Sequence, residues 1–197
     1  MRDLCLAVNT NAERECNDFY ATDPNAVRDS LDFFKRIGLS NNVWECCCGT
    51  GCISSVLSDA GYKVKSTDLI YRGYGEGGID FFDVTNKWDG DIVTNPPYSY
   101  AEEFIHHADE ILETGGKHIY LLKVQFLETT KRAKMFREKG LKTVGVFRER
   151  VLMAKNAKFD EYGKYNYKRQ RYGGGTVAYA WFVFEKGYKG DITIDFV

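Results

Sequence analysis

Short apolar segments typical of β-strands alternate along this chain with longer segments that repeat apolar residues at helical spacing. In one example, a strand pattern at 43–46 is followed by a glycine turn at 49–51 and by a helical pattern at 53–60. Two parallel strands must be joined by a long crossover, which is usually a helix. The alternation therefore predicts an α/β fold with a mostly parallel sheet and helices on both faces.

The same patterns give the order of the elements. Helices are predicted at 24–37, 53–60, 104–112 and 130–139, and strands at 43–46, 64–67, 91–94, 119–122, 144–146, 177–184 and 192–196. The last two strands are joined through Gly187 and Gly190, which predicts an antiparallel hairpin at one edge of the sheet.

Composition indicates one folded domain over residues 1–197 and excludes a mostly disordered chain. The 197 residues are 44% hydrophobic and 28% charged, as in an ordinary globular protein. The longest nearly apolar run, 177–184, is far shorter than the roughly 20 residues of a membrane-spanning helix, so no membrane partner is expected. Polar residues at 9–14 interrupt any signal-peptide core, so we expect a cytoplasmic protein.

The cysteines favour neither a disulfide framework nor a metal site. They are Cys5, Cys16, Cys46, Cys47, Cys48 and Cys52. Zinc sites use ligand pairs with two to four intervening residues and a second pair elsewhere, which this spacing does not provide. We expect reduced thiols that serve as small buried turn residues, and no bound metal.

A glycine turn follows the first predicted strand and precedes a predicted helix. Gly49 and Gly51 allow a tight turn and close approach of a ligand to the helix N-terminus, although Ser54 replaces the third glycine of a dinucleotide fingerprint. An ordinary strand-to-helix turn would explain the glycines equally well. Asp68 ends the next strand, where an acidic side chain can bind the two hydroxyls of a ribose. The combination predicts a nucleoside site.

The tetrapeptide Asn95-Pro96-Pro97-Tyr98 directly follows the predicted strand at 91–94. Its prolines stiffen the backbone and prevent the strand from continuing, so that nearby carbonyl groups point in fixed directions. The Asn95 side-chain oxygen and the Pro96 carbonyl can then accept hydrogen bonds from one planar NH2 group. Drawing on both hydrogens makes that nitrogen more tetrahedral and frees its lone pair, while the Tyr98 ring can stack on a planar base.

With these features, the sequence resembles the class I S-adenosylmethionine-dependent methyltransferases of the adenine-N6 DNA type, which have a Rossmann-like fold. The family's catalytic tetrapeptide matches 95–98. Its cofactor turn commonly reads Asp-Pro-x-x-Gly-x-Gly and matches 45–51, with Glu45 in the acidic place and Cys46 in the proline place. An N-terminal motif that holds the methionine end of the cofactor matches 19–24.

The resemblance implies S-adenosylmethionine as the cofactor and the N6 amine of adenine in DNA as the methyl acceptor. The implied catalytic residues are Asn95, Pro96, Pro97 and Tyr98. The implied cofactor-binding residues are Tyr20, Thr22, Glu45, Cys47, Gly49, Gly51, Asp68, Asp80, Phe81 and Asn95. Asp80-Phe81 fits the family's acidic-aromatic pair, although Asp83 is close enough to compete for that role.

Three alternatives stay open. The enzyme could methylate adenine in RNA, or the glutamine side chain of a protein, because that amide presents the same two hydrogens. It could also be an inactive cofactor-binding subunit of a larger complex. No separate block of sequence remains for a target-recognition domain, which leaves room for a specificity or restriction partner protein.

A basic and aromatic segment precedes the predicted strand at 177–184. Between 155 and 172, six cations and two acids leave a charge of +4, in a protein of net charge −1. Cations neutralise phosphates and aromatic rings stack on exposed bases, so this segment predicts DNA binding, although a solvated loop would also explain it. The predicted substrate-binding residues are Phe159, Lys164, Lys168, Arg169 and Arg171, with Phe159 stacking on a flipped base.

Overall fold

A computed structural model describes residues 19–155, 157, 159 and 177–197. Its strands are β1 (Tyr20–Thr22), β2 (Asn42–Glu45), β3 (Lys63–Asp68), β4 (Glu76–Gly77), β5 (Asp91–Thr94), β6 (Lys117–Lys123), β7 (Leu141–Val146), β8 (Met153–Lys155), β9 (Tyr179–Glu185) and β10 (Thr193–Phe196). Its α-helices are α1 (Pro24–Asp29), α2 (Leu31–Arg36), α3 (Cys52–Asp59), α4 (Ala101–Ile111) and α5 (Thr130–Glu138). Short 3₁₀ helices lie at Phe81–Asp83, Tyr98–Tyr100 and Val124–Leu127.

Eight strands form the main sheet in the order β10-β7-β9-β6-β5-β2-β3-β4, and β1 pairs with β8 in a separate ribbon. All pairings in the main sheet are parallel except those of β9. Side chains alternate between two cores: Val43 faces the layer of α1, α2 and α3, whereas Trp44 faces the layer of α4 and α5. The predicted parallel sheet with helices on both faces is therefore confirmed.

An antiparallel strand pair lies near one edge of the sheet, as predicted, but its members differ from the predicted hairpin. β9 pairs with β6 and β7, whereas β10 pairs in parallel with β7. The first six residues of β9 are buried, as expected of an interior strand covered by helices on both faces of the sheet. β10 exposes alternate apolar side chains such as Ile194, so it occupies the edge.

The predicted helix at 24–37 is divided into α1 and α2 at Ser30. The buried Ser30 hydroxyl donates to the carbonyl of Ala26 at 2.7 Å and accepts from the Trp181 indole at 2.8 Å. The helix therefore breaks at the residue whose hydroxyl accepts a hydrogen bond from Trp181 of β9. Local helical spacing does not predict this contact. Within the described residues, no helix is long and apolar enough to cross a membrane.

Asp91 joins three segments at the end of the sheet opposite the carboxyl ends of the parallel strands. Its carboxylate accepts from the backbone N–H of Ser40 and from that of Lys117, both at 2.7 Å. Asp91→Asn would turn an NH2 group toward one of these donors. We expect the free energy of unfolding in urea to fall by about 1–3 kcal/mol, the usual cost of a buried unpaired donor.

The matched control for this substitution is Asp89→Asn, whose side chain is exposed two residues earlier in the chain. It should leave the free energy of unfolding nearly unchanged. Equal stabilities for the Asp91→Asn protein and the unmodified protein would contradict the assigned role of Asp91.

Candidate functional site

A cleft opens at the carboxyl ends of β2, β3 and β5. From β2 the chain continues to β3 on one side and later returns to β5 on the other, so the strand order reverses at β2. The space of the cleft amounts to about 1080 Å³, part of which is open to solvent. Residues of β1, the glycine turn, the 3₁₀ helix at Phe81–Asp83 and the tetrapeptide line it. Ligands of open α/β sheets bind at such a switch point, because the connecting loops diverge there.

Glu45 is buried where the floor of the cleft meets α3. Its Oε2 accepts hydrogen bonds from the Ser54 backbone N–H at 2.7 Å and from the Ser54 hydroxyl. The Ser54 hydroxyl also lies 2.6 Å from that of Ser66 on β3. Burial raises the pKa of Glu45 to about 8, although the bonds from Ser54 oppose that rise. This carboxyl group therefore gains a proton near neutral pH.

Two aromatic rings pack against the glycine turn. Gly49 and Gly51 have positive φ of +54° and +81°, so side chains at both positions would be strained. A Cβ on Gly49 would collide with the ring of Phe19, and one on Gly51 with the ring of Tyr74. Neither glycine lies among the cleft-lining residues. The close approach expected at these glycines is thus made by aromatic rings of the chain itself.

Asp68 lines the cleft at the end of β3 and is held by three groups. Its Oδ2 accepts from the Gly49 N–H at 2.8 Å, and its Oδ1 accepts from the Ile70 N–H at 2.9 Å. The Arg72 guanidinium lies 3.7 Å from Oδ1 and 4.5 Å from the centre of the Phe19 ring. The carboxylate is therefore fixed at the cleft surface, and each oxygen keeps a lone pair for a ligand hydroxyl.

The acidic-aromatic pair forms the start of a 3₁₀ helix. Asp80 Oδ1 accepts from the Phe82 N–H at 3.0 Å and caps that helix. The Phe81 ring is largely buried and stacks on Phe104 with centroids 4.9 Å apart. Its neighbour Phe82 is less buried and also lines the cleft, so two adjacent rings are available to a planar ligand.

Asn95 has a side chain with a fixed orientation. Its Nδ2 donates to the carbonyl of Tyr20 at 2.8 Å, across from β5 to β1. Its Oδ1 is buried at the cleft, and no donor among the described residues reaches it. A buried acceptor without a partner is costly, which marks this oxygen as a position for an external NH group.

The remaining tetrapeptide residues line the same part of the cleft. Pro96 is buried, Pro97 is partly exposed and precedes the 3₁₀ helix, and Tyr98 begins that helix. The Tyr98 ring lies 6.2 Å from that of Tyr179, centroid to centroid. The tetrapeptide thus presents an aromatic ring beside the Asn95 acceptor.

The thiols near the turn are held in the protonated form, which is a weak nucleophile. Burial raises the pKa of Cys48 to about 12 and also raises that of Cys52. A hydrogen bond with Cys46, together with burial, raises the pKa of Cys47 well above its ordinary value. Across the described residues, no group of three His, Cys, Asp or Glu side chains is placed to hold a metal ion.

The structure brings most of the predicted site residues to one cleft. Those lining it are Tyr20, Thr22, Glu45, Cys47, Asp68, Asp80, Phe81, Asn95, Pro96, Pro97 and Tyr98. Phe159 does not line it, and Lys164, Lys168, Arg169 and Arg171 lie outside the described residues. Sequence reasoning missed Arg72, which lines the cleft, and Tyr74, which packs against Gly51, although the tyrosines and arginine among the glycines of 71–78 were a usable signal. Phe19 belongs to the matched motif at 19–24 but had no role assigned to its ring.

Comparison with known proteins finds similarity in structure only. Neither a protein-family model nor a curated protein sequence matches this chain. A Listeria monocytogenes protein proposed to be a class I S-adenosylmethionine-dependent methyltransferase is 11% identical, with TM-score 0.55 over 88% of this chain and 64% of that chain. Magnesium protoporphyrin IX methyltransferase from Synechocystis, solved with S-adenosylmethionine bound, is 14% identical, with TM-score 0.52 over 83% and 79%.

A third similar structure is the type IIG restriction endonuclease BpuSI, 14% identical, with TM-score 0.56 over 87% of this chain and 26% of that chain. The chain therefore spans about two thirds of the Listeria protein and about a quarter of the endonuclease. At such identities the similarity establishes the fold alone. The Rossmann-like fold expected from the sequence is confirmed.

The raised pKa of Glu45 predicts a pH dependence of stability. The pKa rises from 4.5 to about 8, so the folded protein holds a proton that the unfolded chain releases between these values. Stability should therefore fall as pH rises through this range, by up to about 1.4 kcal/mol per pH unit. We expect Glu45→Gln to remove that part of the slope in urea unfolding measured from weakly acidic to weakly basic pH. Parallel stability profiles for the two proteins would show that Glu45 is ionised throughout.

Proposed function

We propose that this protein is a methyltransferase that moves a methyl group from S-adenosylmethionine to the exocyclic N6 amine of adenine in DNA. The observation that carries the proposal is the buried Asn95 Oδ1 without a donor, beside Pro96 and the Tyr98 ring. An adenine amine would supply that donor. The cleft that holds this oxygen also contains Asp68, so a nucleoside cofactor and an amine substrate can meet there.

The cleft residues fit the cofactor. The Asp68 carboxylate, already fixed by the Gly49 N–H, would accept hydrogen bonds from the two ribose hydroxyls. Phe81 would pack against the adenine ring beside Asp80, and Thr22 with the backbone of β1 would hold the methionine end. Glu45 and the turn around Cys47 would form the floor. When bound, S-adenosylmethionine supplies an electrophilic methyl group.

The tetrapeptide would prepare the amine for attack. Asn95 Oδ1 would accept one hydrogen of the amine and the Pro96 carbonyl the other, which pushes the nitrogen toward tetrahedral geometry and exposes its lone pair. The hydrogen bond from Asn95 Nδ2 to Tyr20 keeps the side-chain oxygen turned toward the cleft before substrate arrives. Such preorganised polar contacts need no rearrangement during the reaction.

Nucleic acid is favoured over protein glutamine by where the basic segment joins the described residues. Before it, β8 ends at Lys155, which is paired with Tyr20 beside Asn95. After it, Tyr179 lies next to Tyr98. The described residues on both sides of 156–176 therefore lie near the tetrapeptide. Similarity to a restriction endonuclease agrees with a DNA substrate, and a specificity or restriction partner protein in the cytoplasm remains part of the proposal.

Asn95→Ala tests the proposed chemistry. Transfer of labelled methyl groups to duplex DNA should fall at least about 100-fold, the usual effect of removing a preorganised polar contact at a reacting group. Affinity for S-adenosylmethionine, measured by calorimetry, should stay nearly constant because the Asn95 oxygen contacts the substrate. Parallel assays with single-stranded DNA, RNA and protein identify the acceptor.

Two results would count against this proposal. Transfer to protein or RNA, with none to DNA, would replace the substrate. An equal loss of cofactor affinity and of methyl transfer would mean that Asn95 either binds the cofactor or mainly stabilises β1 through its bond to Tyr20.

The basic segment gives a second test. If Lys164, Lys168, Arg169 and Arg171 contact phosphates, DNA affinity should fall steeply with salt, with a log–log slope of about −0.9 per contact. Changing all four to Ala should flatten the slope by up to about 3 to 4 units. Any sequence preference should persist, because phosphate contacts do not read bases. An unchanged slope would indicate that the segment is a solvated loop that does not bind DNA, and it would favour glutamine as the methyl acceptor.

A further inference from the structure

Lys123 lies at the edge of the proposed active site, outside every role assigned above. It is the last residue of β6, whose neighbour β5 leads directly into the tetrapeptide. Its Nζ lies 5.2 Å from the centre of the Tyr98 ring. On its other side, Lys123 is paired with Tyr179 of β9, two residues after the chain re-enters the described part at Val177.

Three cations on neighbouring elements are paired with carboxylates. Lys131 and Arg132 both bind Glu102, at 2.6 and 2.9 Å, and Arg72 lies 3.7 Å from Asp68. Among the residues that the structure describes, no carboxylate lies within ion-pair distance of the Lys123 ammonium. Lys123 as a whole is only partly exposed.

A partly buried cation without a carboxylate partner is suited to an anion brought by a ligand. The two candidate substrates differ in this respect. A nucleotide whose base stacks on Tyr98 brings a phosphate one sugar away from that base, within reach of a flexible lysine stem. A glutamine side chain brings no anion with it.

We propose that Lys123 binds a backbone phosphate of the target nucleotide, so that the site recognises adenine as part of a DNA strand. The inference rests on the proposed function, because it places the target base on Tyr98. Lys123 would then hold the sugar-phosphate of the flipped nucleotide while Asn95 holds its amine. A compact ammonium on a flexible stem suits a single phosphate contact.

The test compares Lys123→Met with Lys123→Arg and with the control Lys134→Met. Met keeps the apolar stem and its packing on Tyr98 but removes the charge, and Arg restores the charge. Lys134 is exposed on α5 and is paired with Glu138. Binding of a fluorescein-labelled duplex of mixed sequence is measured by anisotropy over a range of salt. Single-turnover methyl transfer is measured at saturating duplex DNA.

For Lys123→Met we expect the salt slope of binding to fall by about 1 unit, the effect of one lost phosphate contact. Transfer at saturating DNA should fall about 10-fold, because a contact to the target nucleotide positions the base as well as binding the strand. Lys123→Arg should keep most of both properties, and Lys134→Met should resemble the unmodified protein.

Two outcomes overturn the inference. An unchanged slope would mean that Lys123 only packs against Tyr98. A reduced slope with unchanged transfer at saturating DNA would place the phosphate away from the target nucleotide. Either result leaves the proposed function standing if the unmodified protein methylates DNA and Asn95→Ala does not, whereas no transfer by the unmodified protein rejects the function itself.

Discussion

The buried carboxyl group of Glu45 joins the three elements that form the floor of the cleft. Glu45 ends β2, its partner Ser54 lies in the first turn of α3, and Ser54 in turn contacts Ser66 on β3. The Glu45 oxygen that accepts these bonds lies at the N-terminus of α3, where backbone N–H groups lack helical partners and favour an acceptor. Because β2, α3 and β3 are fixed together, the intervening turn holds one conformation, and the Gly49 N–H meets Asp68.

The geometry around the tetrapeptide depends on residues that are distant in sequence. β5 carries Asn95 to the carboxyl edge, but the orientation of its amide is set by the Tyr20 carbonyl of β1. β1 is held in place by pairing with β8, from Met153 to Lys155. The Asn95 amide, β1 and the end of β8 are thus parts of one hydrogen-bonded assembly.

Most of the site residues predicted from the sequence line one cleft, whereas Gly49, Gly51 and Phe159 do not, and the surroundings of the turn were not predicted. Asp68 and Asn95 were predicted because each follows a strand whose carboxyl end must lie at the same edge of a parallel sheet. The glycine turn was predicted to leave space for a ligand, yet the rings of Phe19 and Tyr74 occupy the space beside Gly49 and Gly51. Glycine patterns reveal where close approach is possible, but they do not reveal what approaches.

Local sequence patterns were sufficient to predict the alternation of strands and helices, the parallel sheet and the position of the tetrapeptide after β5. These follow from local periodicity and from turn residues, which act over a few positions. Local patterns could not predict that β9 lies between β6 and β7, that Ser30 divides the first helix, or that Tyr20 orients Asn95. Each depends on a partner far along the chain, 75 residues away for Asn95 with Tyr20 and 151 for Ser30 with Trp181, and such pairings are decided by which buried groups satisfy one another.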